Sequence, residues 1–323
     1  MFAALTLTLL PAPTVVTPAR VGAARALPLL AKAAAGHAEQ KTCFACHNQA
    51  LPLMAHRAAV GRGFAASDDL FKAQAEHVAA FVGSNRERYL KGQGTGGAAD
   101  TAGYLLFTLE QAGYPPDEKT AAVVEYLLQV QADRDHWKTT SNRPPTEAST
   151  FATTALAVRA LKTWAAPEQK ERATKRITAA RGWLLKARPA DTEDRVFRLF
   201  GLKASGADER DIAAAAWDVL KTQRADGGWG QLDTMPSDAY ATGTALVALH
   251  QAGGLPTDHP AYSRGVAFLT KAQLADGSWH VRSRSKPFQP YYESGFPHEK
   301  DQFISAAATG WATTALVLTA PAQ

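Results

Sequence analysis

Two short runs concentrate the chemistry-bearing residues of this chain. Cys43-Phe-Ala-Cys46-His47 holds both cysteines of the 323 residues. Cys-x-x-Cys-His is the spacing at which two thiols add to the vinyl groups of haem while the following imidazole ligates the iron. The segment therefore points to covalent haem c, with Cys43, Cys46 and His47 as its anchors and His47 as the metal ligand. Two other chemistries suit the same residue types: a dithiol–disulfide couple, or a zinc ion shared with a distant His. For the second axial position of a haem the sequence offers Met54, Met235, His56, His77, His280 and His298. The second run, Asp191-Thr-Glu193-Asp194, puts three carboxylates within four residues. Mutual repulsion in such a cluster favours keeping one proton bound, while a helix N-terminus beside it opposes this.

The elements that position these residues repeat along the chain. Gln131-Ala-Asp-Arg-Asp-His-Trp137, Gln223-Arg-Ala-Asp-Gly-Gly-Trp229 and Gln273-Leu-Ala-Asp-Gly-Ser-Trp279 superimpose without gaps. Each follows an amphipathic helical pattern, at 121–130, 212–222 and 262–272, and precedes a more apolar helix rich in Ala, Thr and Leu. A degenerate copy at 177–187 and 194–202 fills the gap between the first two. Two further pairs, 27–40 with 48–61 and 70–89 with 100–112, bring the total to six helix pairs. Six pairs close an all-α (α/α)6 ring with the apolar helices inside; a linear solenoid is the alternative. The inner helices run parallel, so the acids at or near their starts share one rim: Asp100, Glu147, Asp194, Asp238 (two residues before Tyr240) and, in the loop before the last helix, Asp301. Capping of free N–H groups explains an acid at such a place. Between Trp279 and the last inner helix lies a long loop containing Tyr291, Tyr292, Phe296 and His298. A loop of this length inside a compact domain is commonly functional, and this one is placed to lid the ring beside Glu193 and Cys46.

The Gln-x-x-Asp-Gly-x-Trp copies resemble the QW repeats of squalene–hopene cyclases, whose α/α toroid protein prenyltransferases share. The resemblance covers most of residues 68–320. Bottom-up, these residues hold the fold: Gly permits the turn, Asp226 and Asp276 bond turn N–H groups, and the tryptophans fill helix ends. Asp191-Thr-Glu193-Asp194 is similar to the Asp-x-Asp-Asp motif of class II terpene cyclases, with Glu for the middle Asp and Arg195 where the family has Thr. The resemblance implies that Glu193, flanked by Asp191 and Asp194, donates a proton to an alkene or epoxide. No cysteine follows Cys46, so the zinc site of the prenyltransferases is not matched. The inner helices show more Ala, Thr and Gly than aromatic residues, which argues against a cavity built for carbocations.

Bulk properties fit one packed domain: 46% of residues are hydrophobic and 20% charged, with a net charge of +5. The basic residues are scattered, apart from Arg282, Arg284 and Lys286, and no nucleic-acid partner is expected. No stretch reaches the roughly 20 apolar residues of a membrane span. Phe2–Leu10 is a short apolar core and Ala24-Arg25-Ala26 a small-x-small site, so residues 1–26 read as a signal peptide and 27–323 as the toroid. Together these features predict an exported, periplasmic toroid carrying haem c and binding a ligand at its rim, with a hydrophobic or isoprenoid-like ligand and a redox partner as candidates. The alternatives are a small class II cyclase-like enzyme using Glu193, and a non-catalytic interaction module.

Overall fold

Apolar residues that recur on one stripe of some helices and all around others dictate two concentric layers. The computed structural model describes residues 16–286 and 292–322. Its helices are α1 (Pro18–Gln40), α2 (Leu51–Ala59), α3 (Asp68–Ser84), α4 (Arg86–Leu90), α5 (Ala98–Ala112), α6 (Glu118–Gln129), α7 (Thr150–Trp164), α8 (Lys170–Lys186), α9 (Thr192–Ser205), α10 (Glu209–Leu220), α11 (Ala239–Gln251), α12 (Pro260–Ala272) and α13 (Gln302–Val317). A five-residue π-turn, Cys46–Ala50, leads into α2. The β structure among the described residues is one antiparallel pair, Trp229–Gly230 with Ser237–Asp238, and an isolated bridge between Arg143 and Glu147.

The inner helices α2, α5, α7, α9, α11 and α13 touch in that order, and α13 returns to α2, which closes the ring. Outside them lie α1, α3, α6, α8, α10 and α12, with the short α4 appended to α3. On α11 every residue from Ala239 to Leu249 is buried. By contrast, α10 buries only Ile212, Ala215 and Val219, an i, i+3, i+7 stripe. Small residues let the inner helices approach closely. A Cβ added at Gly310 would lie 2.8 Å from the Leu51 Cβ, and one at Gly243 would lie 2.7 Å from the Ala312 nitrogen.

The repeated motifs lock each turn in the same way. Trp137, Trp229 and Trp279 are fully buried. Their Nε1–H groups donate to the carbonyls ten residues earlier: Leu127 (3.0 Å), Val219 (3.0 Å) and Leu269 (2.8 Å). Asp226 and Asp276 accept from the N–H of Gly228 and Ser278, both at 2.9 Å, as the turn requires. Gly227 and Gly277 stand at φ +88 and +92, where a side chain would be strained. The glutamines stitch neighbouring repeats: Gln223 donates to the Ala261 carbonyl (2.7 Å) and Gln273 to the Gly22 carbonyl (2.9 Å). In the first copy Gln131 instead holds Lys138, and Arg176 stacks over Trp137 at 4.1 Å.

The Gly22 bond draws residues on the near side of the expected boundary at 26 into the ring wall. Residues 18–26 are the first part of α1, with Ala19, Ala23 and Ala26 buried, and α1 lies against α13. The Ala24-Arg25-Ala26 site therefore falls inside a helix of the ring wall, while residues 1–15 lie outside the described residues.

Candidate functional site

The N-terminal ends of the inner helices share one rim, and their acids divide into two kinds. Asp191 and Asp238 cap their helices, accepting the N–H of Asp194 and Ala241, each at 2.9 Å. Asp194 accepts from the Ser149 hydroxyl (2.6 Å) and the Ala190 N–H (2.9 Å). The other acids turn away from capping. Asp100 accepts from the hydroxyls of Thr153 and Thr139. Glu147 pairs with Arg143 and accepts from the Cys46 thiol at 3.4 Å. Glu193 accepts from the Tyr240 hydroxyl at 2.9 Å.

Glu193 is 4% exposed. Burial pushes its carboxyl well above the usual carboxylate range, with Asp191 and Asp194 adding to the rise and the Tyr240 bond and Arg284 opposing it. Desolvation, more than the clustering of acids, is what keeps the proton. Burial likewise raises Asp191, Asp100 and Asp238. Arg284, from the last loop, donates to Gln231 (2.9 Å) and draws on Asp191, Glu193 and Asp238. Arg195, the departure from the acidic motif, acts on Asp191 alone of these, and more weakly than Arg284 does.

Two cavities meet inside the ring at Tyr104, which lines both. Its buried hydroxyl has no hydrogen-bond partner among the described residues, and it lies within electrostatic reach of Glu193 and Tyr240. The central cavity, about 470 Å³, opens at the opposite rim. Its wall carries Tyr104 and Phe107 from α5, Phe197 and Phe200 from α9, and Trp311 from α13. This overturns the expectation of an inner wall poor in aromatics. No single inner helix is aromatic-rich, but the ring gathers one or two rings from each of three helices. The signal in the sequence was the i, i+3 pairing of Tyr104 with Phe107 and of Phe197 with Phe200. At the mouth stand Arg57, Arg159, Lys162 and Lys203 with Glu110; Arg159 holds Glu110 through two bonds of 2.7 and 3.0 Å. Cations at helix C-termini also complement the dipoles there.

The rim cavity, about 800 Å³, is lined by Cys43, Cys46 and His47 together with Tyr292, Lys41, Arg88, Arg143 and Lys286. Cys43 is exposed and Cys46 buried, both as free thiols. Burial pushes the Cys46 thiol up to about 11 and the His47 imidazole down to about 3, so His47 is neutral at ordinary pH. His47 meets the edge of Phe303 at 5.5 Å. The carbonyl of Cys43 is bonded by His37 (2.8 Å) and His77 (3.3 Å), and Tyr292 bonds the other nitrogen of His37 at 2.7 Å.

The last loop only partly follows expectation. Arg284, Lys286 and Tyr292 reach the rim, whereas Phe296 is buried (1% exposed) and its carbonyl takes the Gln302 side chain at 2.9 Å. His298 turns away from both cavities to bond Ser278 (2.7 Å) and stack on His280 at 4.8 Å. Asp301 pairs with His280 at 2.7 Å. Tyr291 lies outside the described residues. Of the proposed axial candidates, Met54 lines the central cavity and His56 is buried on the Leu27 carbonyl at 3.1 Å.

In fold, this closed ring of six helix pairs is similar to the toroids of solved type II terpene cyclases. The chain is 31% identical over 210 residues to a drimenyl diphosphate synthase from Streptomyces showdoensis, covering 59% of this chain and 37% of that protein. A probable squalene–hopene cyclase from Sinorhizobium fredii is 34% identical over 112 residues, 31% of this chain and 16% of the relative. The matches thus span well under half the length of these relatives. Among solved structures, the type II terpene cyclase MstE from Scytonema with merosterolic acid A superimposes with a TM-score of 0.57 at 15% identity, over 94% of this chain and 99% of that one. A protein from Actinoplanes gives 0.59 with 94% and 100% coverage, also at 15% identity. No protein-family model matches the chain.

Proposed function

We propose that the central cavity takes up an isoprenoid-like chain and that Glu193 protonates it, the activity of a small class II terpene-cyclase-like isomerase. The carrying observation is the pairing of an aromatic-walled cavity with a buried, proton-retaining carboxyl, Glu193, that stands one helical turn before Phe197 of the cavity wall and within electrostatic reach of Tyr104. In this reading Glu193 gives its proton to one carbon of a terminal double bond, and the π pair forms the new C–H bond. The cation left on the other carbon is attacked by the next double bond. A proton lost from carbon at the end restores charge, so the product is an isomer of the substrate. Ring faces of Tyr104, Phe197, Phe200 and Trp311 stabilise the passing cation. Tyr240 orients the carboxyl and steadies the carboxylate that forms. The drimenyl diphosphate synthase and squalene–hopene cyclase relatives support this reading, as does MstE, solved with geranylgeranyl dihydroxybenzoate as substrate. The basic mouth suits an anionic head held at the far end from the acid.

Incubation with farnesyl and geranylgeranyl diphosphates and with squalene, followed by mass-spectrometric product analysis, tests it. A cyclised isomer is expected from at least one substrate. Glu193→Gln should lower its rate by about 10²-fold or more, the scale of losing a positioned acid, with helical content unchanged. No cyclised product from any of the three, or an unimpaired Glu193→Gln enzyme, would sink the reading.

A further inference from the structure

Acid chemistry in the central cavity leaves the larger rim cavity, on the other side of Tyr104, without a role. We propose that this cavity holds a covalently attached haem c, joined through thioethers to Cys43 and Cys46 and ligated at iron by His47. Three independent features of the chain converge there. First, the only two cysteines and the following His have the attachment spacing. Second, all three side chains line one cavity of about 800 Å³, within the range of about 300–1,000 Å³ that cofactor-sized ligands occupy. Ring closure need not have brought them to a common opening; a tail displayed outside the toroid would have left them facing solvent. Third, the wall matches the chemistry of the group. Phe44, Phe81 and Tyr104 offer apolar surface for the macrocycle, and Lys41, Arg88 and Lys286 offer positive charge for its two propionates.

The donor set is ready for the group. Cys43 and Cys46 are free thiols. Among the described residues the His47 ring has an edge contact with Phe303, and no hydrogen bond to either ring nitrogen is made there. The Cys43 carbonyl is fixed by His37 and His77, which holds the start of the motif still against the cavity wall. Attachment needs no oxidant: each S–H adds across a vinyl double bond, a C–S bond forms at one carbon, and the hydrogen ends on the other. A bare metal ion is served less well. Among the described residues, no group of three or more His, Cys, Asp or Glu side chains converges on one point. Attachment of this kind takes place outside the cytoplasm, so the inference includes export of the chain, for which Phe2–Leu10 supplies the apolar run.

The test is export of the full chain to the periplasm of a bacterial host that expresses haem c maturation proteins, with a known c-type cytochrome matured in parallel. The expected result is a haem stain that survives denaturing electrophoresis, a pyridine haemochrome spectrum of the two-thioether type, and a proteolytic peptide spanning 43–47 that carries the haem mass. Cys46→Ala should shift the haemochrome band to the single-thioether position, and Cys43→Ala/Cys46→Ala should remove the covalent stain while circular dichroism still reports the helical ring. Should a variant fail to fold, the haem-bearing peptide of the unaltered protein decides by itself. The inference is overturned if the unaltered protein is folded and colourless while the control cytochrome matures, or if its two cysteines are recovered as a disulfide or with zinc.

Discussion

Glu193 shows how a single side chain reads differently alone and in place. Its raised carboxyl means that the folded state binds a proton more tightly than the unfolded chain, whose Glu titrates near about 4.3. Stability is therefore whole below that pH and declines as pH rises from there toward the elevated folded value. Glu193→Gln keeps an oxygen for Tyr240 but has no proton to lose. Its melting temperature should equal that of the parent near pH 4 and exceed it increasingly toward neutral pH, as followed by thermal unfolding across a pH series. A constant difference at every pH would show that burial of the charge carries no cost here. The capping acids Asp191 and Asp238 occupy the same rim and look alike in sequence, yet each spends an oxygen on a backbone N–H. Which acid caps and which faces inward depends on one residue of helical rotation, and that is invisible until the helix is packed.

At the level of elements, the inner helices owe their spacing to small residues. Gly310 lies against Leu51 where α13 meets α2, and an added methyl would come within 2.8 Å of the Leu51 Cβ. Gly182, in the outer helix α8, has nothing within 4 Å of such a methyl. Gly310→Ala should therefore cost about 1–3 kcal/mol through overpacking. Gly182→Ala should add about 0.5–1 kcal/mol by favouring helix. Chemical denaturation of the two variants, side by side, measures both signs; stabilisation by Gly310→Ala would mean the α2–α13 contact is looser than described. The QW turns were legible as elements because their chemistry is local: Gln, Asp, Gly and Trp lie within seven residues. The partner of Gln273 was not legible, because it is Gly22, far away in sequence and adjacent only once the ring is closed.

For the whole molecule, closure joins the first and last of the described helices. Helix α1 lies against α13, and the bond from Gln273 to Gly22 continues the series that Gln223 begins. A chain beginning at Leu27 loses that bond together with buried Ala19, Ala23 and Ala26. It should be less stable than one beginning at Val16 by about 3 kcal/mol, from one hydrogen bond and several buried methyl groups. Equal denaturation midpoints would show that residues 16–26 are dispensable and support a boundary at 26. Where the chain is exported as proposed, mass spectrometry should accordingly find any mature N-terminus before Pro18.

The number of helix pairs, their order, the inner and outer roles and the placement of the acids and cysteines at one end can all be read along the chain. All of these follow from periodicity and short-range motifs, which need no knowledge of distant neighbours. Tertiary structure decided what the chain encloses. The aromatic cavity exists because Tyr104, Phe107, Phe197, Phe200 and Trp311 come from three different helices, and a residue's face toward a common axis is fixed only by how the helices pack. The last loop was divided in the same way: Arg284, Lys286 and Tyr292 went to the rim, and His298 and Asp301 went to the turn beneath His280. Length and aromatic content raised the expectation of a functional loop, but only the competing partners around it settled where each side chain points.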